Sequence, residues 1–158
     1  MGDCYFDDLQ AGQRFTSAGI TLTEAAMVDF ALSYDPQLIH VDVQAAAAGP
    51  FGGLIASGIH TLAIGCRLVQ LTKPWAATCL GAFGIDELRW LKPVRAGDTL
   101  RVVTEIRELR PSRSRPGRGT VLLDHQVINQ DGEVVLTYSV PERVACRAAA
   151  AADAPARA

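Results

Sequence analysis

Residues 54–71 read Leu-Ile-Ala-Ser-Gly-Ile-His-Thr-Leu-Ala-Ile-Gly-Cys-Arg-Leu-Val-Gln-Leu. Leu54, Ile55, Ile59, Leu62, Ala63, Ile64, Leu68, Val69 and Leu71 spread over nearly every face of a helical repeat. A helix that is apolar all round is buried on most sides, so this stretch is expected to be the longest helix and to lie inside the molecule. Something must wrap it, and the sequence downstream supplies strands. Cys79 to Leu91, Thr99 to Leu109, Thr120 to Asn129 and Val134 to Val144 are rich in Val, Ile, Leu and Thr, which suit a pleated, half-buried surface. Turn signals separate them at Pro93 to Asp98, Pro111 to Gly119 and Asn129-Gln130-Asp131-Gly132. The Asp-Gly pair in the last of these marks a hairpin.

Upstream of the long helix, Arg14 to Ser17 reads as a first strand, and the period then changes. Thr23 can cap a short helix through Leu32, with Met27, Phe30 and Ala31 on one face. Pro36 disfavours helix geometry at Asp35 and ends it, and an irregular segment rich in Ala and Gly follows to Gly53. One early strand, a buried helix and four later strands make an α+β fold in which an antiparallel sheet wraps a central helix. With no internal repeat and no second boundary, residues 1–146 are expected to form one domain. The Ala-rich residues 147–158 are expected to be disordered.

Charge and composition exclude several function classes. A formal net charge of −2 argues against nucleic acid as a partner, which calls for a basic excess. Asp3, Asp7 and Asp8 stand where a signal peptide carries positive charge, and no apolar run reaches membrane-spanning length. No membrane association and a cytoplasmic location are therefore expected. Cys4, Cys66, Cys79 and Cys146 are too far apart for a C-x-x-C motif and are read as reduced packing residues. No nucleophile elbow, phosphate-binding loop, dinucleotide fingerprint or zinc spacing occurs, so neither metal nor cofactor is implied.

The stretch Tyr34-Asp35-Pro36-Gln37-Leu38-Ile39-His40-Val41-Asp42, followed by Phe51-Gly52-Gly53-Leu54-Ile55-Ala56-Ser57-Gly58-Ile59-His60-Thr61, carries the chemistry. These linked motifs resemble the MaoC-like dehydratase family, known for (R)-specific enoyl-CoA hydratases. The likeness continues through Arg89-Trp90-Leu91-Lys92-Pro93-Val94-Arg95-Ala96-Gly97-Asp98 and through Ser112 to Gly119, covering about residues 8 to 145. It implies a hot-dog fold, an acyl-CoA substrate with CoA as part of that substrate and not a cofactor, and a homodimer or larger homo-oligomer.

The resemblance places the family's catalytic Asp and His on Asp35 and His40, five positions apart. Hydration of a 2-enoyl thioester must take a proton from water and deliver one to the α-carbon, and dehydration reverses both steps. An imidazole titrates near neutral pH, which suits such work, while a carboxylate can orient the water or share the proton transfer. Gly58 is expected to offer its backbone N–H to the thioester oxygen from the first turn of the buried helix, where amides are unpaired and the dipole is positive.

Around Gly58, Ser57, Ile59 and His60 are candidate substrate-binding residues. His60 reads equally as a hydrogen-bonded helix-start residue. Gly52 and Gly53 serve either the site or a tight turn. Arg113, Arg115 and Arg118 suit the phosphates of CoA or form a solvated hairpin loop, and Lys92 and Arg95 are similar candidates. Cys66 stands eight residues after Gly58, where some hydratases of the family carry a water-holding Ser. It reads either as a weaker donor in that role or as packing. His125, mid-strand, is read as structural or surface. The implied reaction is hydratase/dehydratase chemistry on a 2-enoyl-CoA or a related branched or dicarboxylic thioester. A hot-dog thioesterase or a noncatalytic acyl-thioester binding module is the alternative.

Overall fold

The computed structural model describes residues 3–147. In chain order its elements are β1 (Arg14–Thr16), β2 (Ile20–Thr21), α1 (Glu24–Tyr34), α2 (Leu38–Val41), α3 (Val43–Ala48) and α4 (Gly58–Thr72). The strands β3 (Cys79–Ala82), β4 (Asp86–Trp90), β5 (Thr99–Pro111), β6 (Arg118–Ile128) and β7 (Val134–Ala145) follow. All seven strands join one antiparallel sheet ordered β1-β5-β6-β7-β3, with β2 also on β5 and β4 also on β7. The sheet curls around α4, giving the hot-dog arrangement.

Period-two burial makes the sheet one-sided. Along β6, Val121, Leu123, His125 and Val127 turn inward, while Leu122 and Asp124 are half-exposed. Ile64, Leu68 and Val69 of α4 meet Val102, Val127 and Leu136 in the main core. A second core gathers Phe6, Trp75, Ile106, Val121, Leu123 and Val144. The four cysteines are free and half-buried; Cys66 packs on the first core, and Cys4, Cys79 and Cys146 on the second.

Several details depart from the sequence expectations. The long helix begins at Gly58, four residues after Leu54, because the Ser57 hydroxyl caps it by accepting from the Ile59 amide at 3.2 Å. Its buried face is one stripe; Ile59 and Leu71 are exposed, so it is not covered on most sides within this chain. The expected strand Cys79 to Leu91 is two strands, interrupted over residues 83–85. The segment after Pro36 contains the short helices α2 and α3, the latter capped by Asp42 Oδ1 on the Gln44 and Ala45 amides at 2.9 Å each. The expected disordered tail lies outside the described residues except Arg147, whose amide donates to Asp7 Oδ2 at 2.8 Å and whose side chain pairs with Asp8.

His125 is structural. It is buried, its Nδ1 shares a 2.9 Å hydrogen bond with Thr104 Oγ1, and its ring lies 4.6 Å from that of Tyr138. Burial brings its pKa down to about 4. The unfolded chain binds this proton below about pH 6.5 while the folded chain refuses it, so stability is full above that pH and falls towards pH 4. A His125→Asn variant is expected to lose up to about one proton of that slope, about 1.4 kcal/mol per pH unit. Urea unfolding across this window checks it; equal slopes in parent and variant would assign the titration elsewhere.

Candidate active site

The site is assembled where α1 stops. Pro36 has no amide proton to continue the helix, and Asp35 becomes its C-cap, with its N–H on the Ala31 carbonyl at 2.9 Å. The chain then turns into α2 and delivers His40 to a buried position. Opposite, residues 54–57 run extended: the Ile55 amide donates to the Ile39 carbonyl at 3.2 Å and the Ala56 amide to the Val94 carbonyl at 2.8 Å. These bonds bring the start of α4 against Asp35 and His40.

The Asp35 carboxylate is held from both sides. Ser57 Oγ donates to Oδ2 at 2.6 Å, and Gln37 Nε2 donates to Oδ1 at 2.8 Å. Those two donors, with a smaller contribution from His40, hold the Asp35 pKa below the usual carboxylate range against a modest burial cost. The carboxylate is therefore ionised throughout the neutral range.

His40 Nδ1 lies 2.9 Å from the Ile55 carbonyl oxygen. A carbonyl only accepts, so Nδ1 carries the proton and Nε2 presents its lone pair when the ring is neutral. Nε2 stands 3.5 Å from Asp35 Oδ2. Both groups border a cleft of about 510 Å³. Gly58, Ile59 and Thr61 of α4 form part of its wall, and Trp90, Leu91 and Lys92 form another. Its size suits a small-molecule ligand.

Gly58 opens α4, a helix of 15 residues, with its amide at the positive end of the helix dipole. Among the described residues that amide meets no acceptor. A Cβ at Gly58 would lie 2.6 Å from the Trp90 indole, so a side chain there meets Trp90 before it meets any ligand.

The other candidates divide. Ile59 and Lys92 reach the cleft, Lys92 from the rim with its Nζ on Glu133. Ser57 is fully buried, donates to the Asp35 carboxylate and lies behind the cleft lining. His60 lies outside the cleft lining. It stacks on Phe30 with ring centroids 4.4 Å apart, and burial lowers its pKa. Arg95 ties down the loop before α4 by donating to the carbonyls of Phe51 and Leu54. Gly52 and Gly53 belong to that loop with positive φ of 64° and 153°, which favours the turn reading. Cys66 is not in the cleft lining. Its thiol is raised by burial in the core beneath α4.

Arg113 and Arg115 lie in the β5–β6 loop, and Arg118 opens β6 opposite Ala145. The cleft wall at Trp90 pairs instead with Leu136, nine positions back along β7. At about 3.3 Å per residue that is roughly 30 Å along the strand, and none of the three arginines is in the cleft lining. Gln37 and Trp90 are among the cleft residues to which the sequence alone gave no role. Gln37 carried a signal, an amide two positions after the candidate carboxylate; Trp90 had only its place before the Leu91-Lys92-Pro93-Val94 run.

Comparison with known proteins agrees with this architecture. The MaoC like domain family matches residues 8–127. The crystal structure of the MaoC-like dehydratase from Rhodospirillum rubrum superposes with a TM-score of 0.86 at 41% identity, over 91% of this chain and 98% of that one. R-hydratase PhaJ1 from Pseudomonas aeruginosa gives a TM-score of 0.73 at 27% identity, over 91% and 86%. The 3-hydroxybutyryl-CoA dehydratase of Methylorubrum extorquens is 30% identical over 141 residues, 88% of this chain and 85% of the relative. By sequence and by fold, this chain belongs to the MaoC-like hydratase/dehydratase family.

Proposed function

We propose that this chain reversibly adds water across the 2,3 double bond of a 2-enoyl-CoA, or a related branched or dicarboxylic thioester, to give a 3-hydroxyacyl-CoA. The observation that carries the reading is the Asp35–His40 pair bordering one cleft with the Gly58 amide. Neutral His40 takes a proton from water at Nε2, and the ionised Asp35 beside it stabilises the imidazolium that forms. The same pair returns a proton to the α-carbon. The Gly58 N–H donates to the thioester oxygen and stabilises the negative charge that develops on it. The names of the Methylorubrum dehydratase and the Pseudomonas R-hydratase support this class of chemistry.

The test is a panel of enoyl-CoAs differing in length and branching. Loss of the conjugated enoyl absorbance without release of free thiol is the expected result. Thiol release would identify a thioesterase, and binding without either change would identify a noncatalytic module.

A homodimer is the proposed assembly, since cyclic pairs are the commonest closed oligomers. Exposed Leu80, Phe83 and Ile85 along the β3–β4 edge are in keeping with a covered face. The proposed ligand of Arg113, Arg115 and Arg118 is the phosphate end of CoA, reached in the assembled dimer. Neutralising all three is expected to raise KM for the CoA substrate several-fold while leaving KM for a truncated pantetheine thioester unchanged, because only the former carries phosphates. Equal effects on both substrates would leave the cluster as a solvated loop.

A further inference from the structure

Trp90 is the last residue of β4, paired with Leu136 on β7, and it projects from the sheet over the first turn of α4. Its Nε1–H donates to the Gly58 carbonyl at 2.9 Å across 32 positions of sequence. Its six-membered ring and its nitrogen lie 2.6–3.1 Å from where a Gly58 Cβ would stand, so the indole rests directly against the Gly58 Cα. Although it is about as large as a side chain can be, it is 53% exposed and lines the cleft. The second tryptophan, Trp75, is fully buried in the other core.

An exposed indole in a cleft wall, bonded to the residue whose amide is assigned above to the thioester oxygen, has two consequences. The bond fixes the first turn of α4 against the sheet, and with it the direction of the Gly58 N–H. The ring supplies a flat apolar surface beside that amide. The absence of a side chain at Gly58 is then required by the indole, since any Cβ would drive the ring outward.

We propose that Trp90 is a positioning and specificity-determining residue: it aligns the Gly58 amide and forms the wall against which the acyl group beside the thioester carbonyl lies. This rests on the hydratase reading above. Replacing the ring without its N–H, in Trp90→Phe, removes the alignment and keeps most of the wall. Loss of one such hydrogen bond is expected to lower kcat about five- to tenfold with KM within about twofold. Trp90→Ala removes both and is expected to relax discrimination between straight-chain and 2-methyl-branched enoyl-CoAs.

The decisive test couples the two residues. Alanine at Gly58 keeps its backbone N–H, so Gly58→Ala acts only by displacing the indole. It is expected to slow single-turnover hydration at least tenfold in the parent and less than twofold in Trp90→Ala. Folding of each variant is confirmed by circular dichroism. In parallel, the unreactive thioester butyryl-CoA is titrated against parent and Trp90→Phe, with tryptophan emission read alongside calorimetry. Binding should change emission in the parent and leave it unchanged in Trp90→Phe, where only Trp75 reports. If Gly58→Ala slows both backgrounds equally, or if bound butyryl-CoA changes emission equally in both proteins, Trp90 has no such role. A parent that neither hydrates any enoyl-CoA nor binds butyryl-CoA overturns the hydratase reading itself, and this proposal with it.

Discussion

Asp35→Asn is expected to lower kcat for enoyl-CoA hydration by at least about 10²-fold while the protein stays folded, and His40→Ala is expected to do the same. The asparagine keeps the shape of the side chain and can still accept from Ser57, whose hydroxyl lies 2.6 Å from Asp35 Oδ2. What it loses is the charge that stabilises an imidazolium at His40, 3.5 Å away. His40→Ala instead removes the lone pair that the Ile55 carbonyl directs into the cleft by fixing the proton on Nδ1. Because Ser57 and Gln37 hold the Asp35 pKa low, its protonation does not shape the pH profile near neutrality. Purified, folded variants compared by steady-state kinetics check both substitutions. Near-normal turnover in either would remove that residue from the mechanism.

Lys73→Met is expected to destabilise the protein by about 3–5 kcal/mol, the cost of leaving one member of a buried ion pair without its partner. Lys73 follows α4, and its Nζ donates to both Glu142 oxygens at 2.7 and 2.9 Å. The two side chains are only 1% and 6% exposed. Trp75 Nε1 donates to the same carboxylate at 2.9 Å, so Glu142 has further support but, among the described residues, no second cation. Pairing Lys73→Met with Glu142→Leu removes both charges, and this double variant is expected to recover much of the loss. Denaturant unfolding measures the difference; a loss below about 1 kcal/mol in Lys73→Met would show that water or a rearranged partner satisfies Glu142.

What the sequence made legible was local. Asp35 and His40 lie within six residues, and Pro36 forces the turn that brings them together, so motif and backbone chemistry agree. Strands β5, β6 and β7 stood out because they are rich in Val, Ile, Leu and Thr, and in β5 and β6 the inward residues recur at period two. The start of α4 was misplaced because Leu54, Ile55 and Ala56 are as apolar as a helix turn. The Ile55 and Ala56 amides are instead drawn to the carbonyls of Ile39 and Val94, partners distant in sequence. The break between β3 and β4 had a signal in Gly81 and Gly84, which punctuate the expected strand. The Trp90–Gly58 and Lys73–Glu142 contacts, 32 and 69 positions apart, follow from the curled sheet and have no trace in spacing. His60 illustrates the reverse: its place two residues after Gly58 suggested the cleft, yet the helical turn rotates it onto Phe30.

Following the oxygen atom shows whether Asp35 and His40 direct water to the double bond. The parent protein is incubated with trans-but-2-enoyl-CoA in ¹⁸O-labelled water, and the products are analysed by mass spectrometry. Hydration forms a C3–O bond, so the label is expected in the 3-hydroxyl group of an intact thioester, and Asp35→Asn should abolish that signal. Label in a released carboxylate, with free CoA formed in equal amount, would mean that the water had attacked the carbonyl and that the protein is a thioesterase.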